Sequence, residues 1–332
     1  MAHAKASEMS ANATPHVLQI LHSEQAYKSR SWDYEKGHRI LLALRGQVLE
    51  ASVFEHYLGT NKVKTVVELP TGYGCQMACA HCASGAIRGA VALSAADLLS
   101  IYSATLASTG NPEHGLVSLA GIGESSLNAA NVLAFAKALK ANWPERSITM
   151  TTVGIRPAFI TRANEAATDL NLKFLQVSLF HPDNARTRQI HGQAFRHYDI
   201  GEVLRAVEAA TSIHVRFNYV LLKGDNDSPA HLEHLRTLLS PLANRISLRI
   251  SRLNETDTSR SNGLLPGSDA DVLAAAELFR GAGFNAYAFF SSRNDNMNCG
   301  QLAWGHYREN NSPRVVISDP TAQLARMEFE SA

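Results

Sequence analysis

Long apolar runs are missing from this chain of 332 residues, and none approaches the ~18–20 residues that a membrane-spanning helix requires. An excess of charge is missing too. Lys and Arg number 31 against 30 Asp and Glu, a net charge of +1, without the strong basic surplus of many nucleic-acid binders, so RNA is less expected as a partner than a smaller acceptor. Cysteine is scarce, with 4 in the whole chain, and nothing marks a secreted disulfide framework. No low-complexity segment and no repeat of fixed period interrupts the sequence. Residues 1–15 are rich in Ala, Ser and Asn and lack the apolar core of a signal peptide, which reads as a loose tail on a cytoplasmic protein. With 45% apolar and 18% charged residues, what remains is an ordinary globule, of a length that one large α/β domain can fill.

The cysteines that are present are crowded. Cys75, Cys79 and Cys82 fall on one Gly-flanked loop, Thr71-Gly72-Tyr73-Gly74-Cys75-Gln76-Met77-Ala78-Cys79-Ala80-His81-Cys82. Three thiolates on one loop can hold three corners of a [4Fe–4S] cube, and the fourth iron is then left for a small-molecule ligand. A structural zinc site is the competing reading, with His81 or Cys299 as the fourth ligand, although no second Cys or His pair of finger-like spacing exists. A disulfide among three such cysteines leaves an odd thiol.

The hydrophobic pattern predicts one helix over residues 16–29, from Val17, Ile20 and Leu21, then strands over 39–43 and 47–54 joined at Arg45-Gly46. Together these predict a small N-terminal helix-hairpin cap over residues 16–61. Residues 63–69 form a strand that delivers the chain into the cysteine loop, and Ser94-Ala95-Ala96-Asp97 opens a helix as a capping box. Strands over 116–120, 148–153, 174–179, 215–222 and 246–253 then alternate with helices over 129–142, 158–169, 200–211, 230–239 and 269–281. Six βα units predict an α/β fold, a partial (β/α)6 barrel over residues 62–303. A seventh strand, 286–290, leads to Cys299, and residues 304–332 read as a tail.

In parallel α/β folds the ligand lies at the carboxyl ends of the strands. At those ends stand Gly121, Gly123 and Glu124, two glycines permitting close backbone approach and a carboxylate able to accept bonds from an ammonium. Ser178 and Asn254 offer small polar groups at the same mouth. Each is also an ordinary turn residue. The histidines, His181 and His191 among them, show no metal-ligand spacing.

Cys75-x3-Cys79-x2-Cys82 resembles the cluster loop of radical S-adenosylmethionine (SAM) enzymes. Gly121-Ile122-Gly123-Glu124-Ser125-Ser126-Leu127-Asn128, the 151–157 segment, Val177-Ser178-Leu179, Tyr219-Val220-Leu221-Leu222 with Asn226-Asp227, and Cys299-Gly300-Gln301-Leu302-Ala303 resemble, in order, motifs of the adenine C-methylating family typified by RlmN and Cfr. That resemblance implies a [4Fe–4S] cluster on Cys75, Cys79 and Cys82, with SAM contacted at Glu124, Ser178 and Asn254. It also implies an electron donor such as flavodoxin or ferredoxin. In the family the last cysteine, here Cys299, accepts a methyl from one SAM. A 5′-deoxyadenosyl radical from a second SAM activates that methyl, which then adds to carbon-2 of an adenine.

Three departures stand out. The family's second catalytic cysteine is replaced by Glu68, a carboxylate that can take a proton but cannot form a disulfide. The N-terminal RNA-binding domain is reduced. Ser125 replaces a proline, and His81 precedes the third cysteine. The expected activity is therefore C-methylation, or related carbon–carbon bond formation, on an aromatic or nucleotide-like acceptor. Two other readings stand beside it: direct 5′-deoxyadenosyl radical chemistry on a small metabolite, and a non-catalytic iron–sulfur or zinc protein that binds RNA or a partner.

Overall fold

The computed structural model describes residues 14–26, 32–290 and 300–310. The chain opens as an antiparallel meander of β1 (His16–Ala26), β2 (Tyr34–Leu44), β3 (Gln47–Leu58) and β4 (Asn61–Glu68). Arg45 and Gly46 join β2 to β3 with φ of 51° and 72°, the left-handed pair that a two-residue hairpin needs to match strand twist.

The helix expected over residues 16–29 is thus a strand, and the cap is not a helix and hairpin. Three apolar residues are too few to bury a helical stripe, whereas β1 completes the open edge of β2 in a long ladder. Ile20 opposes Ile40, and Glu24 opposes Lys36, whose ammonium lies 3.4 Å from its carboxylate. Nor does the meander stand apart from the barrel, because β4, which is also the first barrel strand, pairs β3 on one side and the second barrel strand on the other.

Next come the short ribbon β5 (Gly72–Tyr73) and β6 (Val91–Ala92), then α1 (Ala95–Ser108), which starts on the expected capping box of Ser94 and Asp97. The series continues through β7 (Leu116–Leu119), α2 (Ala129–Asn142), β8 (Ser147–Thr152), α3 (Ala158–Ala166) and β9 (Leu172–Leu179). After α4 (Asn184–His191) and α5 (Ile200–Ala209) follow β10 (Val215–Leu221), α6 (Pro229–Leu239) and β11 (Ile246–Arg252). The barrel ends with α7 (Asp257–Ser261), α8 (Asp269–Gly281) and β12 (Asn285–Phe289). From β4 through β7 to β12 every neighbouring pair is parallel, inside a 10-stranded sheet whose order follows the chain and which stays open at β1 and β12. This is the expected partial barrel, widened at one edge by the meander.

Strand alternation sorts the side chains. Val215, Phe217 and Tyr219 of β10 are buried with the apolar residues of the helices, while Arg216 and Asn218 point to the opposite, inner face. On the meander that inner face carries Arg39 and Leu41 of β2, Val48, Glu50 and Ser52 of β3, and Glu68 of β4.

A second correction concerns the C-terminus. The tail expected from residue 304 begins as α9 (Gln301–Asn310), because Leu302, Ala303, Trp304 and Tyr307 pack against Leu41, Val48, Ile87 and Ile122. Apolar burial of this size explains why a segment with no clear helical period holds a helix. Among the described residues no helix is long and apolar enough to cross a membrane.

Candidate radical SAM site

The cysteine loop leaves the carboxyl end of β4 and is folded by its own backbone. Ala78 and Cys82 donate to the carbonyls of Cys75 and Cys79, Gly85 donates to Cys82, and Cys75 donates to Ser84 at 3.2 Å. Neighbouring elements brace it. Thr256 Oγ1, just before α7, donates to the His81 carbonyl at 3.0 Å, Asn262 Nδ2 to the Ala80 carbonyl at 3.1 Å, and the Ala80 amide to His191 Nδ1 at 3.4 Å.

Cys75, Cys79 and Cys82 are free thiols. Burial pushes the Cys75 thiol up to about 12, with the nearby Cys82 adding to it, and burial with both other sulfurs raises Cys79 well above its ordinary value. The raised thiols of Cys75 and Cys79 do not ionise unless cations lie among the sulfurs, so the donor set is built for metal. Among the described residues no three His, Cys, Asp or Glu side chains converge as a single ion requires. A cubane spreads its thiolates over separate irons and fits this loop, whereas a zinc ion with His81 does not. His81 is enclosed by Phe180 and His191, and burial lowers it to about 4.

Gly121 and Gly123 meet the protein's own chain. A Cβ on Gly121 would lie 2.9 Å from the Leu69 carbonyl, and one on Gly123, at φ +112°, would lie 2.4 Å from Thr71 Oγ1. These glycines let the loop after β7 press onto the segment entering the cysteine loop, where Thr71 and Gly72 donate to the Ile122 carbonyl. Asn128 reinforces the contact, giving Nδ2 to the carbonyls of Thr71 and Leu93 at 2.9 and 2.8 Å. Glu124 is buried beside it. Its carboxylate accepts from the amides of Ser126 and Val153, each at 3.0 Å, and from Thr152 Oγ1. Burial raises this carboxyl above its ordinary range, while those donors pull the other way.

Ser178 lies on the inner face in register with Asn218. Asn254 follows β11 and leads into the Thr256 brace, and the adjoining Glu255 carbonyl accepts from Gln301 Nε2 at 3.1 Å. Cys299 lies outside the described residues. Its peptide neighbour Gly300 is packed against the loop after the third cysteine, where a Cβ would lie 2.1 Å from Ser84 Oγ.

Sequence reasoning overlooked the clamp on that segment. Glu50, fully buried, accepts from the amides of Gly300 and Ala303, the latter at 3.0 Å, and so fixes the start of α9. Arg39 Nη1 links Glu50, at 3.4 Å, to Glu68, at 3.3 Å. Glu68 and the chain beside Cys299 therefore belong to one network on the inner face. The available signal was Glu50 itself, an acid inside the apolar run Val48-Leu49-Glu50-Ala51. Glu50→Ala strips two buried amides and one carboxylate partner of Arg39, so unfolding in urea should show a loss of about 3 kcal/mol. A change below about 0.5 kcal/mol, the scale of an ordinary surface substitution, would show that the clamp does not hold α9.

A cavity of about 520 Å³ lined by His181, Asp183, Asp199, His231 and neighbours contains none of these residues and sits among the outer helices.

Residues 69–238 match the family model described as Radical SAM superfamily. A "Probable dual-specificity RNA methyltransferase RlmN" of Thermus thermophilus is 34% identical over 259 residues, 74% of this chain and 69% of the relative. A protein of the same description from Nostoc sp. is 32% identical, over 66% of this chain and 60% of its own. Among solved structures, a radical SAM methyltransferase from Sphaerobacter thermophilus shares the fold, with a TM-score of 0.69 over 85% of this chain and 80% of that one at 23% identity. The cysteine loop at the end of β4, the buried Glu124 on the next loop and this coverage lead to one conclusion: the chain belongs to the radical SAM superfamily, in its RlmN-like methyltransferase branch, and is an enzyme that uses a [4Fe–4S] cluster and SAM.

Proposed function

We propose that this enzyme transfers a methyl-derived carbon from SAM to a ring carbon of a nucleotide-like acceptor, with Cys299 as the carrier. The observation that supports it best is the packing of Gly300 on Ser84, which keeps the chain next to Cys299 against the cysteine loop. The cluster supplies one electron, drawn from a donor such as flavodoxin or ferredoxin, for reductive cleavage of SAM. Cys75, Cys79 and Cys82 hold the cluster. Glu124 orients the SAM ammonium by a charge-assisted bond, and Gly121 and Gly123 carry it there by seating its loop on Thr71 and Gly72. Ser178 and Asn254 bound SAM on the opposite side of the mouth. The Cys299 thiolate takes a methyl from SAM, and Glu68 accepts the proton lost by the acceptor, the one electron lost with it being available to return to the oxidised cluster.

Glu124→Gln keeps the shape of the side chain and removes its charge. SAM affinity should fall about 10- to 100-fold while iron content is retained, as the loss of one charge-assisted bond predicts. Equal SAM affinity in the two proteins would remove Glu124 from the SAM site.

The function is tested anaerobically with cluster-loaded protein, reductant, SAM, and either adenosine 5′-monophosphate or single-stranded RNA. Mass spectrometry should find a methylated base in one acceptor, absent with Cys299→Ala. The Cys299→Ala protein forming the same product at full yield would contradict the carrier role and favour direct radical chemistry.

A further inference from the structure

Below the level of Ser178 the inner face of the barrel gathers cations and aromatic rings that the SAM site does not use. The Arg216 guanidinium stacks 3.8 Å from the Phe174 ring centre and lies 5.7 Å from that of Tyr287. Stacking uses the face of a guanidinium and leaves its N–H edge to be satisfied. Here Nε is buried without an acceptor, and no carboxylate pairs with Arg216 among the described residues. Lys64, on the same face of β4 as Glu68, carries its ammonium 6.0 Å from the Trp32 ring centre, and burial together with the charges of Lys173 and Arg216 lowers it to about 8. Cations drawn together with no counter-charge are costly, and an incoming anion would relieve that cost.

One layer higher, Arg249 stacks 4.3 Å from the Phe289 ring centre, and its Nε donates to Asn218 Oδ1 at 2.7 Å. Ser251 Oγ donates to the same oxygen at 2.9 Å. Asn218 is in register with Ser178, and Arg216 lies two residues earlier on β10, about 7 Å down the strand. That separation suits a planar base near the mouth with an anionic group below it.

We propose that Arg216 and Lys64, with Phe174 and Tyr287, form a phosphate subsite inside the barrel that holds the anionic end of a nucleotide acceptor. The assignment deepens the acceptor reading above and rests on it, but its test needs no turnover. Failure here would leave methyl transfer to another class of acceptor open to the product assay.

Equilibrium titration of the cluster-loaded, SAM-bound protein compares adenosine 5′-monophosphate, adenosine and inorganic phosphate. The monophosphate should bind at least about 10-fold more tightly than adenosine, an advantage that shrinks as salt rises from about 50 to about 500 mM. Arg216→Met should abolish that advantage, and Arg216→Lys should keep part of it. Iron content and circular dichroism report folding in each variant. Lys64→Gln, which alters no stacked cation on Phe174, should also reduce the monophosphate affinity and serves if Arg216→Met does not fold.

A 5′-phosphorylated single-stranded oligoribonucleotide forms a separate arm. Tighter, Arg216-dependent binding of the oligonucleotide supports the site with an RNA strand as the phosphate source, and preference for the monophosphate supports it with a free nucleotide. Equal binding of monophosphate and adenosine, absence of monophosphate binding, or undiminished monophosphate affinity in a folded Arg216→Met protein would overturn the proposal.

Discussion

Alanine at Cys75, Cys79 or Cys82 should each abolish the cluster, reducing bound iron and SAM cleavage to background, while Cys299→Ala should retain both. The asymmetry follows from the loop. Its turns present three sulfurs, and the raised thiols of Cys75 and Cys79 become ligands only when iron replaces their protons. Removing one sulfur leaves a cubane corner open to solvent and too few thiolates on the loop to hold the cluster. Iron analysis and the visible spectrum after anaerobic reconstitution measure the effect. Loss of most of the iron in Cys299→Ala alone would instead mean a four-cysteine site.

The other large effect should appear at product release. A conjugate that joins Cys299 sulfur to the acceptor through a methylene can be resolved when a thiolate attacks that sulfur. An S–S bond then forms, the carbon–sulfur pair passes to the methylene carbon, and that carbon takes up a proton to become the methyl group. Glu68 can accept the acceptor's proton but cannot make the S–S bond. Turnover should therefore require an external thiol, and its omission should stop the reaction after one equivalent with the acceptor linked to Cys299. Glu68→Cys should restore release without added thiol. It also breaks the Glu68–Arg39 pair, so Glu68→Ser is the matched control and should not restore release. Multiple turnovers by the unmodified enzyme without any thiol would show another route of release.

Much of the barrel was legible because each βα unit carries its own punctuation. The Ser94–Asp97 capping box opens α1, Ser268 and Asp271 open α8, and apolar runs bounded by turns mark the strands. The first strand was not legible, since Val17, Ile20 and Leu21 satisfy a short helical spacing as well as a strand, and only the vacant edge of β2 decides between them. The same limit hid α9, whose stability comes from Leu41, Val48 and Ile122 far away in sequence. At the site, local spacing revealed the cysteines and Glu124. Arg39 and Glu50 gain their meaning only when hairpin register sets Arg39 opposite Ser52, and Ser52 opposite Glu68. The glycines show the converse. Their spacing suggested room for a ligand, and the room is filled by the segment Leu69 to Gly72.

The carrier role of Cys299 is tested most directly by its methylation. Cluster-loaded enzyme is incubated with SAM bearing an isotopically labelled methyl group and no acceptor, then digested and sequenced by mass spectrometry. Attack of the Cys299 thiolate on that methyl, with S-adenosylhomocysteine as leaving group, should place one labelled methyl on Cys299 and none on Cys75, Cys79 or Cys82. Addition of acceptor and reductant should then move the labelled carbon into product. Product formation with Cys299 unlabelled throughout would contradict the account.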